Sequence, residues 1–133
     1  MNNVQEYFKN RVEATFSPMD LIQATKTNPS EYIIVDVRMG PAHLREHKIK
    51  GAIEIPLSEI GKRSEELPKE KQVILYCWDV WCNTASKAAL LLLEKGFKVK
   101  ELAGGIAAWK TMNFPLEAVS SEQPAVPIQT CEC

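Results

Sequence analysis

An α/β domain with a largely parallel central sheet, flanked by helices on both faces, is the fold class this sequence predicts. Two observations carry it. Residues 32–37 (Tyr-Ile-Ile-Val-Asp-Val) and 72–77 (Gln-Val-Ile-Leu-Tyr-Cys) are apolar runs without polar alternation, as in strands buried on both faces. Stretches of helical periodicity alternate with these runs, which implies βαβ units and a parallel sheet.

Taken in order, Val4, Tyr7, Phe8, Arg11 and Val12 follow helical spacing, so residues 3–12 open the chain as a helix. Ser17-Pro18-Met19-Asp20 starts a second helix, with Ser at the N-cap, Pro in the first turn and an acid near the first amides. It ends near Asn28-Pro29, because proline disfavours helix in the residue before it. After the 32–37 strand, Gly51–Pro56 reads as a short strand and Ser58 as the cap of a short helix. The 72–77 strand precedes the clearest helix, 84–95, whose apolar face is Ala85, Ala88, Ala89, Leu92 and Leu93. Gly96 supplies the left-handed residue that ends it. A strand over 97–102 and a short helix after Gly104-Gly105, carrying Ile106, Ala107 and Trp109, complete the pattern. The domain organisation is a helical extension over 1–14, one α/β domain over 15–117, and a flexible tail over 118–133, where Ser, Glu, Gln and Pro take over.

At 133 residues the chain suits a single domain that buries its core without metal or disulfide staples. A net charge of −1 offers no case for nucleic acid or an anionic membrane surface as partner. No apolar run nears the roughly 20 residues that span a bilayer, and the first residues lack a secretory pattern. The expectation is a cytoplasmic protein that needs no cofactor. Four cysteines fall in two pairs, Cys77 with Cys82 and Cys131 with Cys133. Clustered thiols of this kind are reactive or metal-binding more often than they staple a fold. With no histidine pattern of metal spacing nearby, no metal site is expected at Cys131-Glu132-Cys133.

Cys77 stands where a buried strand hands over to a helix. Open α/β sheets place their chemistry at the carboxyl ends of strands, and helix N-termini favour anions. A thiol there is expected to ionise near neutral pH. The plain alternative is a small buried hydrophobe at a strand end.

Five segments resemble the rhodanese-like, single-domain sulfurtransferase family in order and spacing. They are Ile34-Val-Asp36-Val-Arg38, Ile49-Lys-Gly51-Ala52-Ile-Glu-Ile-Pro56, Val73-Ile-Leu-Tyr-Cys77, Gly96-Phe97 and Leu102-Ala-Gly104-Gly105-Ile-Ala-Ala-Trp109, within residues 16–115. The resemblance implies sulfane-sulfur transfer through a cysteine persulfide on Cys77. The donor is thiosulfate or a persulfide, and the acceptor is cyanide or a thiol, a protein thiol included. Asp36 and Arg38 match a rim or structural element, and Gly104, Gly105 and Trp109 a packing signature without chemistry. The substrate-binding loop is Trp78, Asp79, Val80, Trp81, Cys82, Asn83 and Thr84, about two residues longer than the common form. It lacks the glycine and arginine usual in the family, and Lys48, after His47, replaces a frequent histidine. A dianion such as thiosulfate gains less from a loop without arginine, so a soft, weakly charged persulfide suits it better. Asp79, if it faces the pocket, works against a thiolate.

Cys82 is either an incidental loop thiol or a resolving thiol that attacks the Cys77 persulfide. Trp78 and Trp81 are either an apolar rim or loop anchors. Lys87 is either an anion-binding group or part of a solvated helix face, and His43 and His47 read as surface residues. The related cysteine phosphatases need an arginine six positions after the cysteine; Asn83 stands there instead. The remaining alternatives are a catalytically weak binding module and a redox sensor using Cys77 and Cys82.

Overall fold

A computed structural model describes residues 2–119. The 131–133 cysteine pair and nearly all of the expected tail therefore lie outside the described residues. The elements in chain order are α1 (Asn3–Ala14), β1 (Thr15–Phe16), α2 (Pro18–Thr27), β2 (Tyr32–Asp36), β3 (His47–Ile49), β4 (Ile53–Glu54), α3 (Leu57–Arg63), β5 (Gln72–Tyr76), α4 (Thr84–Glu94), β6 (Lys98–Leu102), α5 (Gly105–Thr111) and β7 (Leu116–Ala118). Three short 3-10 turns, at Pro29–Glu31, Ala42–Leu44 and Ser64–Glu66, fill connections.

The main sheet has five strands in the order β1-β6-β5-β2-β4, and every pairing is parallel. The long apolar runs become its two central strands, β5 and β2, registered Tyr32 to Gln72 through Asp36 to Tyr76. Period-two alternation splits each between two cores. Val35, Val73, Leu75 and Cys77 face one cluster with Ile60 of α3 and Ala85, Ala88 and Leu92 of α4. Ile34, Ile74 and Tyr76 face the other with Leu21 of α2 and Ile106 and Trp109 of α5. Helices thus cover both faces. Because both clusters share β5, the residue following that strand is fixed by packing from two sides.

The Ser17 start of α2 forms as its sequence dictates: Ser17 Oγ accepts from the Asp20 amide at 3.1 Å, and Asp20 returns the bond to the Ser17 amide at 3.0 Å. α4 ends one residue earlier than the periodicity indicates, before Gly96 at φ +87°. Some expectations need correction. Pro56, not Ser58, occupies the N-cap of α3, and Ser58 lies inside its first turn. Leu93 is 53% exposed, because the buried face of α4 runs through Ala85, Ala88 and Leu92. α1 extends to Ala14 and buries none of its residues. β1, β3 and β7 were not anticipated. β3 and β7 pair antiparallel as a separate ribbon, so regular structure runs to Ala118, one residue past the expected domain end. Among the described residues, no helix is long and apolar enough to cross a membrane.

Leu92 is fully buried between α4 and the sheet. Leu92→Ala is expected to cost about 2–5 kcal/mol, from lost burial plus the cavity left behind, read as a lowered denaturant midpoint with unchanged slope.

Candidate active-site loop

The loop between β5 and α4 starts at Cys77 and ends at Asn83. Its beginning is held from below by α5. Gly104 and Gly105 adopt φ of +79° and +60°, and this turn lets the backbone of α5 approach the loop directly. The Ile106 amide donates to the Cys77 carbonyl at 3.0 Å, and the Ala107 amide donates to the Trp78 carbonyl at 3.0 Å. A Cβ on Gly105 would meet the Cys77 carbonyl oxygen at 2.6 Å and the Trp78 carbonyl carbon at 2.8 Å. Only glycine permits this approach.

A second support comes from β2. Asp36 Oδ2 accepts from the Tyr76 hydroxyl at 2.8 Å, and Asp36 Oδ1 accepts from the Arg38 amide at 3.0 Å. Arg38 pairs with the same carboxylate at 2.8 Å and donates to the His47 carbonyl at 2.8 Å. Burial, then the neighbouring Asp36 carboxylate, push the Tyr76 pKa up, so its hydroxyl remains a donor. The Arg38 guanidinium lies 4.8 Å from the Trp78 ring centre, and Trp78 Nε1 donates to the Met39 carbonyl at 3.0 Å. Asp36 and Arg38 therefore act on the loop by positioning Trp78. Trp78 is a loop anchor, whereas Trp81, at 60% exposed, stands with Val80 at the rim. Lys48 is used elsewhere: its Nζ donates to the Ala52 carbonyl at 2.6 Å and pairs with Glu117 at 3.5 Å. Lys87, His43 and His47 are exposed.

The two thiols converge. Cys77 and Cys82 are 2% and 6% exposed. The Cys82 amide donates to the Asp79 carbonyl at 3.1 Å, a turn that carries residue 82 back over the strand end. Cys77 Sγ donates to the Cys82 carbonyl at 3.4 Å, and the ionisation of each thiol depends on the other. The Trp78 amide serves both sulfurs, while Ala85 in the first turn of α4 offers its amide to Cys77. Cys82 Sγ lies 3.3 Å from Thr84 Oγ1.

The charge distribution differs from the sequence expectation. Burial, and then the hydrogen bond to Cys82, push the Cys77 thiol up to about 12, and the helix amides only partly offset this. Burial opposes ionisation of Cys82 too, but hydrogen bonds from Cys77, Thr84 and the Trp78 and Thr84 amides outweigh it and lower its pKa. Of the two thiols, Cys82 therefore takes the negative charge first. The Asp79 carboxylate accepts its own following amide, at Val80, at 2.6 Å. The first-turn amides of α4 were expected to hold the anion; sequence reasoning missed two other contributors, the Trp78 amide and the α5 clasp. The Gly-Gly pair after β6 was the visible signal of the clasp.

A parallel α/β domain that presents a strand-end cysteine in a helix-leading loop, clasped by a glycine turn, is a cysteine-loop domain. More narrowly, the chain belongs to the rhodanese-like domain family, whose model matches residues 17–112. A sulfurtransferase of Allochromatium vinosum is 32% identical over 89 residues, 66% of this chain and 80% of that protein. An HTH-type transcriptional regulator of Mycobacterium tuberculosis is 30% identical over 105 residues, 76% of this chain; the match spans about half (46%) of the regulator's length. The crystal structure of a full-length protein from Lactobacillus plantarum aligns with a TM-score of 0.81 at 30% identity, over 90% of this chain and 100% of that one.

Gly105→Ala is expected to destabilise the domain by more than about 2 kcal/mol, through a strained φ and a backbone clash, and to alter Trp78 fluorescence before global unfolding. In a pH titration of thiolate absorbance, the difference between wild type and Cys82→Ser is expected to rise below the ordinary thiol range, near pH 8.5. The sign follows from a lowered Cys82 pKa, which puts its thiolate at lower pH, while Cys77 ionises only in strong alkali. A difference centred above pH 9 would contradict the assignment of the charge to Cys82.

Proposed function

We propose that this protein is a rhodanese-type sulfurtransferase in which Cys77 carries the transferred sulfur as a persulfide. The observation that carries the reading is the position of Cys77. It ends a central buried strand, and the amides of Trp78 and Ala85 point at its sulfur. Those amides stabilise anionic sulfur whether it is a thiolate or the persulfide that follows. When the thiol pair is singly ionised, its remaining proton resides on one sulfur or the other, and its residence on Cys82 places the charge on Cys77 for attack. Cys77 Sγ then displaces the donor's leaving group from the sulfane sulfur. Cyanide or a thiol attacks the outer sulfur of the persulfide and restores Cys77.

The donor class follows from the loop's charge. The influences on the two thiols are burial, each other, Thr84 and backbone amides, with no guanidinium among the leading ones. A thiosulfate dianion would meet no arginine or lysine in the 77–84 loop itself, whereas a low-molecular-weight persulfide brings a single soft charge to an apolar rim of Val80 and Trp81. The A. vinosum relative's name, sulfurtransferase, supports the reaction class. A reducing cytoplasm suits two adjacent thiols.

With cyanide as acceptor, wild type is expected to form thiocyanate faster from glutathione persulfide than from thiosulfate. Cys77→Ser is expected to fall to the uncatalysed rate with both donors. Equal turnover by Cys77→Ser would overturn the assignment of Cys77.

A further inference from the structure

Sulfur transfer through Cys77 leaves a second buried nucleophile without a task. Cys82 is held against Cys77 by three features of the backbone and side chains. The Cys82-to-Asp79 turn folds residue 82 back over the strand end. The Cys77 sulfur lies 3.4 Å from the carbonyl oxygen of Cys82 itself. The Trp78 amide favours charge on either sulfur, and the charge of one sulfur bears on the other. An incidental loop thiol needs none of this. The 79–82 turn and the 3.4 Å approach of the Cys77 sulfur to residue 82 arrange the pair for a bond between its own two sulfurs.

We propose that Cys82 is a resolving thiol, which attacks the Cys77 persulfide, releases sulfide and closes a Cys77–Cys82 disulfide, making the protein a reductase of low-molecular-weight persulfides. The proposal rests on the persulfide reading above. The steps balance. The Cys77 thiolate takes the outer sulfur from R–S–SH, giving Cys77–S–SH and RS⁻. RS⁻ takes the proton from Cys82 and leaves as RSH; the Cys82 thiolate then attacks Cys77 Sγ, the Sγ–S bond breaks, and the outer sulfur leaves as HS⁻ with its proton. The outer sulfur gains two electrons, and each cysteine sulfur supplies one. An external dithiol reduces the disulfide, is itself oxidised, and returns both thiols with its two protons.

Two features favour this route over transfer to a distant acceptor. Cys77 is 2% exposed, so its inner sulfur is shielded from bulk thiols yet in contact with Cys82. The attack is intramolecular, and a correctly held neighbour acts at a very high effective concentration. The lowered pKa of Cys82 also raises the fraction of attacking thiolate above that of an ordinary thiol.

Tryptic cleavage after Lys71 and Lys87 releases residues 72–87, a single peptide that carries both cysteines and neither Cys131 nor Cys133. Pre-reduced, desalted full-length protein would be treated with stoichiometric glutathione persulfide and no other thiol, until reaction ends. It would then be blocked with N-ethylmaleimide, digested and weighed, with released sulfide measured in parallel. The expected wild-type peptide is two hydrogens lighter and unblocked, with sulfide released in equal amount. In Cys82→Ser and in Cys82→Ala the peptide is expected to carry one extra sulfur, with sulfide reduced at least about tenfold until a thiol is added. Wild type that keeps the extra sulfur and releases no more sulfide than the variants would overturn the resolving role and leave the transfer reading standing. Absence of added sulfur in both Cys82 variants, with their circular dichroism unchanged, would overturn the transfer reading and this proposal with it.

Discussion

The contact on which the site depends joins the backbone of α5 to the backbone of the cysteine loop. Two amides at the start of α5 bind the carbonyls of Cys77 and Trp78, and the absence of a side chain at Gly105 makes the approach geometrically available. Everything chemical in the loop is defined relative to those two peptide units. The Cys77 sulfur projects from the first, and the Trp78 amide that serves both sulfurs belongs to the junction between them. The Asp36–Arg38–Tyr76 cluster presses the same point from the β2 side. Strand, helix and neighbouring strand thus converge on one dipeptide.

That convergence decides how the loop stores charge. With a cation in the loop, a buried cysteine could ionise by itself. Here burial dominates at Cys77, and the charge moves to the position with more donors, Cys82, which has the Thr84 hydroxyl and two amides as well as the Cys77 thiol. The departure from the family's usual loop is therefore coherent: the residues that replace the arginine include the second thiol and the hydroxyl that holds it.

Much of the architecture was legible because its signals are local. The two central strands announce themselves as uninterrupted apolar runs, and Ser17, Gly96 and the Gly-Gly pair punctuate the helices with residues chosen for their backbone chemistry. The strands that went unread, β1, β3 and β7, have two or three residues each and exist through partners distant in sequence. Leu93 fits the helical spacing of the apolar face, four residues after Ala89, but it falls at the edge of that stripe: Ala85, Ala88 and Leu92 are buried and Ala89 packs against them, while Leu93 turns outward. At the site, Cys77 and the loop's extent could be read from position alone. The reversal of thiol acidities could not, since burial and the 79–82 turn are products of tertiary structure. Trp78 and Trp81 show the same limit: identical residues three apart divide into an anchor and a rim group only once Arg38 takes its place beneath one of them.

The order in which the parts leave the ribosome gives the α5 clasp another consequence. Cys77 and Cys82 are synthesised well before residues 105–107, whose amides complete their surroundings. β6, which pairs with β5, also follows both cysteines in the chain, and until it and residues 105–107 have been made the two thiols lack the surroundings that tune their acidities. A chain cut short before α5 would keep both cysteines and lose the environment that distinguishes one from the other.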